Sequence, residues 1–330
     1  MLWIGRRASV GIGRESTRGE GVIPTYWLNL LSFSFNDVVE RVLSEASFAG
    51  IWGGDQAPKT LQHAEGDMEV EIGDQALGLL LTAVFADQPT STGPTDIAAY
   101  THTYTLQNDN QHDSLTMHVI DPIGQLAFEM GMIDSFELRI EPNAIINAGI
   151  NFVSKASADS SGQVASYGAE KKFVGRFLTF KIGDTTADLT AATSISLKSL
   201  KLKFEKNAEA QVTLSTVQPE DIVNKRFNIT GEIVLNYEDR TWLDYVKAGG
   251  YKAVRIDIEH EDVITGCTPV TGTKYQFRLD LSKCELESWD PDFAMDDVTT
   301  QTLSFTALYD AGGNDNVVNS CYLVNGVASY

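Results

Sequence analysis

Polar and apolar residues alternate with a period of two over most of the chain, the pattern of strands with one face in water. Leu31–Phe35 reads Leu-Ser-Phe-Ser-Phe, Met68–Ile72 reads Met-Glu-Val-Glu-Ile, and Phe136–Glu141 keeps the same rhythm. Further along, Leu200–Phe204, Arg255–Glu259, Phe277–Leu281 and Thr300–Leu308 predict strands. Only two segments carry helical spacing. Asp74–Ala86 places Leu77, Leu80, Leu81 and Val84 on one face, and Asp239–Ala248 places Trp242, Tyr245 and Val246 likewise. Each opens on an aspartate suited to a helix N-terminus, and Gly249-Gly250 is a natural stop for the second.

The order of elements predicts an internal duplication. A shift of 165 residues lays Gly66-Asp67-Met68 on Gly231-Glu232-Ile233, Asp74 on Asp239, Leu77 on Trp242 and Leu80-Leu81 on Tyr245-Val246. Leu31–Phe35 matches Leu200–Phe204 at a nearby offset, and Phe136-Glu137-Leu138 resembles Cys284-Glu285-Leu286. The expected fold is mainly β: two similar β-sandwich or barrel domains, each with one flanking α-helix, plus extended arms and long loops. The boundaries are an N-terminal arm at 1–24, a first domain at 25–153, a linker at 154–175, a second domain at 176–310 and a C-terminal arm at 311–330. The linker is rich in Ser, Ala and Gly and has no apolar periodicity. Long loops at Ser44–Gln62, Asp87–Tyr100 and Glu205–Asn224 point to partner contact.

Charge narrows the function. The formal net charge is −20, which repels nucleic acid and anionic membranes. Residues 1–160 hold 8 Lys+Arg against 21 Asp+Glu, and the remainder hold 17 against 24. Arg6, Arg7, Arg14 and Arg18 make the first twenty residues basic, which predicts an arm docking on an acidic neighbour. No apolar h-region follows Arg6-Arg7, so no export signal is read there. No apolar run reaches the ~18 residues of a membrane helix. The three cysteines, Cys267, Cys284 and Cys321, are too few for a disulfide framework and are expected to be reduced.

Catalytic patterns are missing. His63, His102, His112, His118 and His260 lack zinc-site spacing. Asp290, Asp292, Asp296 and Asp297 resemble a calcium loop, but Met295 and Gln301 stand where glycine and glutamate are needed. Gly11-Ile12-Gly13 follows no strand and opens no helix, so it is not a dinucleotide fingerprint. Asn228-Ile229-Thr230 fits a glycosylation triplet, which means nothing without secretion. Acidic residues recur at every second position on several strands, which is how a wet sheet face looks rather than a catalytic dyad. The expectation is a protein that is not an enzyme and takes no metal or cofactor.

Gly11–Gly19, with its Glu15-Ser16-Thr17 core, leads into Val22-Ile23-Pro24-Thr25-Tyr26-Trp27-Leu28. That stretch resembles the start of major tail tube proteins of long-tailed, siphovirus-like bacteriophages. Gly66–Ile72 followed by a helix is similar to the same family, as is a linker between two similar halves. The resemblance implies a structural virion protein made in the bacterial host cytoplasm. It implies rings stacked into a hollow tail tube that conducts DNA during ejection, with tape measure and terminator proteins as partners. One departure is the second domain, since the simplest members have one. If a ring needs six domains, three chains suffice, with pseudo-sixfold symmetry; six chains with the second half projecting outward is the alternative. The implied lumen acids are Glu69, Glu71, Glu137, Glu141, Asp257, Glu259, Glu285 and Glu287, with Arg6, Arg7, Arg14 and Arg18 in the inter-subunit arm. Two other readings stay open: a monomeric β-sandwich binding module, adhesin or carbohydrate-binding, and a ring or baseplate component that does not polymerise. Scattered tryptophans (Trp3, Trp27, Trp52, Trp242 and Trp289) argue against a single aromatic binding platform.

Overall fold

The computed structural model describes residues 2–93, 98–267, 272–293, 295–313 and 316–330. Parts of two predicted segments, 94–97 in the Asp87–Tyr100 loop and Asn314-Asp315 near the C-terminus, lie outside the described residues. The first half runs β1 (Ser9–Arg14), β2 (Tyr26–Trp27), β3 (Leu30–Arg41), β4 (Lys59–Glu71) and α1 (Ala76–Phe85). It continues with β5 (Thr90–Thr92), β6 (Tyr100–Tyr104), β7 (Leu115–Ile120), β8 (Gln125–Ile140), β9 (Asn147–Lys155) and β10 (Ala158–Ser160). The second half holds β11 (Leu178–Gly183), β12 (Ser199–Glu205), β13 (Ala208–Gln211), β14 (Asp221–Asn224) and β15 (Asn228–Asn236). It ends with α2 (Thr241–Ala248), β16 (Tyr251–Val263), β17 (Lys274–Asp292), β18 (Thr300–Ala307) and β19 (Val318–Asn325). Every predicted strand lies within an observed one to within a residue, although β3, β4, β8, β16 and β17 run well beyond the predicted segments, and both helices lie inside their predicted spans.

The fold is mainly β, of sandwich type, with no closed barrel among the described residues. Its spine is one antiparallel ladder in the order β3-β4-β9-β8-β12-β15-β18-β17. The first four strands come from the first half and the last four from the second. β8 and β17 are long and bend. The start of β8 leaves the spine to pair with β7 and β10, and the start of β17 leaves it to pair with β16 and β19. The second layer is β11-β16-β17-β19-β6-β5. One hydrophobic cluster joins both halves, from Val10 and Phe35 to Phe305 and Leu323. The halves share a ladder and a core.

The two four-strand blocks have the same internal order, with a helix after the second strand of each. Their registers also match. Gly66 lies opposite Phe152 and Met68 opposite Ile150, while Gly231 lies opposite Phe305 and Ile233 opposite Leu303. A side chain at Gly231 would overlap the Phe305 ring, so close approach fixes that glycine. A one-residue bulge falls between Ile133 and Ser135 in β8 and between Leu286 and Ser288 in β17. The 165-residue shift agrees with these registers at β4 and β15, but two other matches move. Phe33, not Leu31, stands where Leu200 does, since Phe33 faces Met68 as Leu200 faces Ile233. The bulges place Phe136 with Trp289 rather than with Cys284.

The helices differ in environment. All ten residues of α1 are buried, because an almost wholly apolar sequence is covered by β1, β6, β8 and the Tyr330 ring. Asp74 does not cap it. Glu170 does, its Oε1 accepting the Ala76 N–H at 2.8 Å, while Asp74 accepts from Lys171 N–H. No residue of α2 is buried, and it lies half-open on the outside.

Parts of both arms and of the linker are docked. β1 pairs with β2 and β7, which leaves residues 2–8 ahead of the sheet and residues 15–25 as a loop between β1 and β2. In the linker, Phe173 is buried and hydrogen-bonded between Ile72 and Ile146. The C-terminal stretch forms β19, inserted between β17 and β6, and the Tyr330 ring lies against Gly78 of α1.

Candidate assembly surfaces

Strand alternation gives the spine a dry face and a wet face. Met68, Val70, Phe136, Leu138, Leu200, Leu202, Ile233 and Leu303 point into the core. Among the predicted lumen acids, Glu69, Glu71, Glu137 and Glu285 alternate with those core residues and share the wet face. Glu141 follows β8 in the same phase, and Glu287 occupies the β17 bulge. Asp257 and Glu259 are elsewhere. They sit on β16 in the second layer, where Asp257 accepts from Arg278 and Gln276 and Glu259 pairs with Lys274 at 2.9 Å. The structure thus places five of the eight on one face, puts Glu287 in the bulge and separates Asp257 and Glu259.

The wet face is acidic but not uniformly so. Arg139 reaches Glu137 and Glu69, and the Glu137 hydrogen bond, with Glu69 adding, holds the guanidinium above its ordinary pKa. Lys201 pairs with Glu232 at 2.9 Å and Lys203 with Glu205. These cations sit on β8 and β12, where the two blocks meet. The ion pairs are solvent-exposed, so each contributes only about 0.2–1 kcal/mol. Asp290 and Asp292 of β17 carry the same wet face onward. Arg139 and the lysines were legible only as alternating positions, because neighbouring strands become visible only once the ladder is assembled.

Both ends of the spine are unpaired edges among the described residues. β3 is bonded to β4 alone, and β17 beyond Glu285 is bonded to β18 alone. Beside β3 lies a groove of about 640 Å3 lined by Arg6, Leu30, Leu31, Phe33, Glu71 and Tyr167. Beyond Arg41 the β3–β4 hairpin continues as a projecting loop with Phe48, Ile51 and Trp52 exposed, Ile51 almost completely. Leu2 and Ile4 are also exposed, and the Arg7 guanidinium stacks 5.0 Å from the Trp3 ring centre. Long open edges and exposed aromatics are what a monomer avoids.

The four arm arginines divide in the same way. Arg6 and Arg7 lie on the exposed segment 2–8. Arg14 pairs with Asp113 at 2.8 Å, and Arg18 bonds Asp221, the Ile222 carbonyl and the His112 carbonyl, all within the chain.

A profile of the phage tail tube protein family matches residues 5–311. The chain belongs to that family. A comparison with curated proteins returns no match. The tail tube family is structural and not an enzyme family, and it places the chain in the phage virion, in the tail. Among the described residues, no group of His, Cys, Asp and Glu is arranged to hold a metal ion, and no helix is long and apolar enough to cross a membrane.

Proposed function

We propose that this tail tube protein closes into a ring of three chains, that rings stack, and that DNA passes through the resulting channel without binding its wall. One observation carries the reading. The spine already contains a finished junction between its two four-strand blocks, at β8 and β12, and its outer ends present the corresponding strands, β17 and β3, unpaired. The two blocks are read as copies of one tube unit, so three chains supply six units. Covalent linkage makes every second junction intramolecular and raises the effective concentration of the rest.

The wet face of the spine then lines the channel. Glu69, Glu71, Glu137, Glu141, Glu285 and Glu287 contribute to a wall that repels a polyanion. Asp257 and Glu259 belong to the outer layer in this arrangement. The segment 2–8, with Arg6 and Arg7, and the loop bearing Phe48, Ile51 and Trp52 contact the next subunit or ring. Tape measure and terminator proteins are the further partners that a tail tube requires.

Counting chains per ring tests the proposal. Native mass spectrometry or image reconstruction of assembled material should give three chains, with both blocks around the channel. Six chains per ring, with only the first block facing the channel, would overturn it. So would a chain that stays monomeric at high concentration.

A further inference from the structure

The internal junction specifies more than closure. We infer that β17 of one copy pairs with β3 of the next in a single register, with Asp290 opposite Asn36. The inference rests on the ring reading above and deepens it by naming the partner residues at the subunit boundary.

Three sets of pairings fix the register. The first is the internal junction, where Arg139 lies opposite Lys201, Glu137 opposite Lys203 and Ser135 opposite Glu205. The second is the shared bulge, which carries Ser135 onto Ser288 and Glu137 onto Asp290. The third is the pairing with the second strand of each block. Phe35 faces Gly66 as Leu202 faces Gly231, which carries Lys203 onto Asn36. Replacing each internal residue by its counterpart puts Asp292 opposite Ser34, Asp290 opposite Asn36 and Ser288 opposite Val38.

The chemistry of the two edges agrees with that pairing. On the wet face, carboxylates meet Ser and Asn, so like charges do not face each other across the boundary. On the dry face, Phe293 meets Phe33 and Pro291 meets Phe35, where the internal junction has Ile140 with Leu200 and Leu138 with Leu202. Phe293 is more than half exposed and Phe33 lines the groove beside β3, so both rings leave water when the edges join. Pro291 lacks an N–H and removes at most one ladder bond. It also disfavours promiscuous pairing of this edge. Because β3 is fixed on β4 and β17 on β18, a slip by one residue would set dry-face residues of one edge opposite wet-face residues of the other, and a slip by two would part Phe33 from Phe293.

Directly opposed residues of an antiparallel pair have Cα atoms roughly 4.5–5.5 Å apart, within reach of a disulfide. The native cysteines are buried and stay out of the way. The full chain carrying Asn36→Cys and Asp290→Cys, assembled and then mildly oxidised, should give interchain dimers and trimers, and no larger species, on a denaturing gel. Chains carrying Asp290→Cys with Ser34→Cys or with Val38→Cys should cross-link at least tenfold less. Rings that form normally but cross-link best at a shifted pair overturn the register and leave the ring intact. Rings without cross-linking at any of the three pairs overturn the β17–β3 boundary itself. No rings and no cross-links from any variant, when the unsubstituted chain also fails to assemble, overturn both readings together.

Discussion

The Arg18 guanidinium and the Asp221 carboxylate, 203 positions apart, meet at 2.5 Å. This contact ties the first strand region to the β14 hairpin of the second half. The same guanidinium donates to the Ile222 carbonyl, and nearby Glu15 accepts from Thr116 Oγ1 and the Met130 N–H while almost fully buried. Residues 9–18 are therefore part of the fold, although their charge reads as an arm.

Arg18→Ala should lower the stability of the free chain by about 2–4 kcal/mol, because partly buried charge-assisted bonds lose their donor. Deleting residues 2–8 should leave the melting temperature unchanged and block tube formation. Thermal unfolding and electron microscopy of the two variants separate the roles. Normal tubes from the deletion would show that the segment makes no needed contact.

The cap on α1 makes a second prediction. Glu170→Ala should cost about 1 kcal/mol, the usual value for a lost helix cap, and Glu170→Gln should restore most of it. Close by, burial foremost and the Glu170 charge in addition raise the Asp74 pKa to about 6. A raised carboxyl pKa means the fold favours the protonated form. That stability is fully present below the unfolded value near 4 and is lost as pH rises through about 6. The stability difference between the wild type and Asp74→Asn should therefore shift in favour of the wild type by about 1–2 kcal/mol on acidification from pH 7 to pH 4. Denaturant midpoints across that range measure it. A difference that is flat with pH would mean Asp74 titrates normally.

Much of this fold was legible in the sequence because strand alternation is local. Leu200-Lys201-Leu202-Lys203-Phe204 states its two faces without reference to anything else. The helix at Ala76–Phe85 was legible in position but not in burial, since its cover comes from β1, β6 and Tyr330, which are remote in the chain. Ser154–Gly175 reads as a linker because Ser, Ala and Gly dominate it and Tyr167 and Phe173 set up no apolar period, yet the buried Phe173 ring and a few backbone bonds dock its end. The acids at Asp257 and Glu259 look identical in sequence to those at Glu69 and Glu71. Only strand order assigns them to different layers, and strand order is a long-range property. Exposed Phe48, Ile51 and Trp52 in a glycine-containing loop were a readable signal of contact that composition alone passes over.

Lys206 is fully buried, and its ammonium donates to the Ala83 carbonyl at the C-terminal end of α1. Burial first, with Arg18 adding, lowers its pKa to about 7. A lowered lysine pKa means the fold favours the neutral amine. Between pH 7 and the unfolded value near 10.5 the unfolded chain binds the extra proton, so this residue makes stability rise with pH. Lys206→Met should remove that rise, which is at most about 1.4 kcal/mol per pH unit. Buried Cys284 and Cys321 titrate with the opposite sign at higher pH, so the comparison of wild type and variant belongs between pH 7 and 8.5. Parallel stability curves for the two proteins in that window would show that Lys206 stays charged.

The wet face of the spine makes the last prediction, which concerns DNA passage. Glu141 and Glu285 are exposed acids on that face and take part in no ion pair among the described residues. Replacing both by lysine changes the local charge without breaking a contact, so the chain should fold and assemble as before. Fixed cations in the channel would then hold phosphates, and the attraction would be screened as ionic strength rises. Phage carrying Glu141→Lys with Glu285→Lys should eject DNA several-fold more slowly at low salt and recover at high salt. Glu259→Lys, in the outer layer, should form the same tubes and eject at the wild-type rate. Time-resolved ejection measured by dye binding distinguishes the two variants. Equal ejection rates for the wild type and the double variant would remove the wet face from the channel wall, and slow ejection by Glu259→Lys alone would place the second layer there instead.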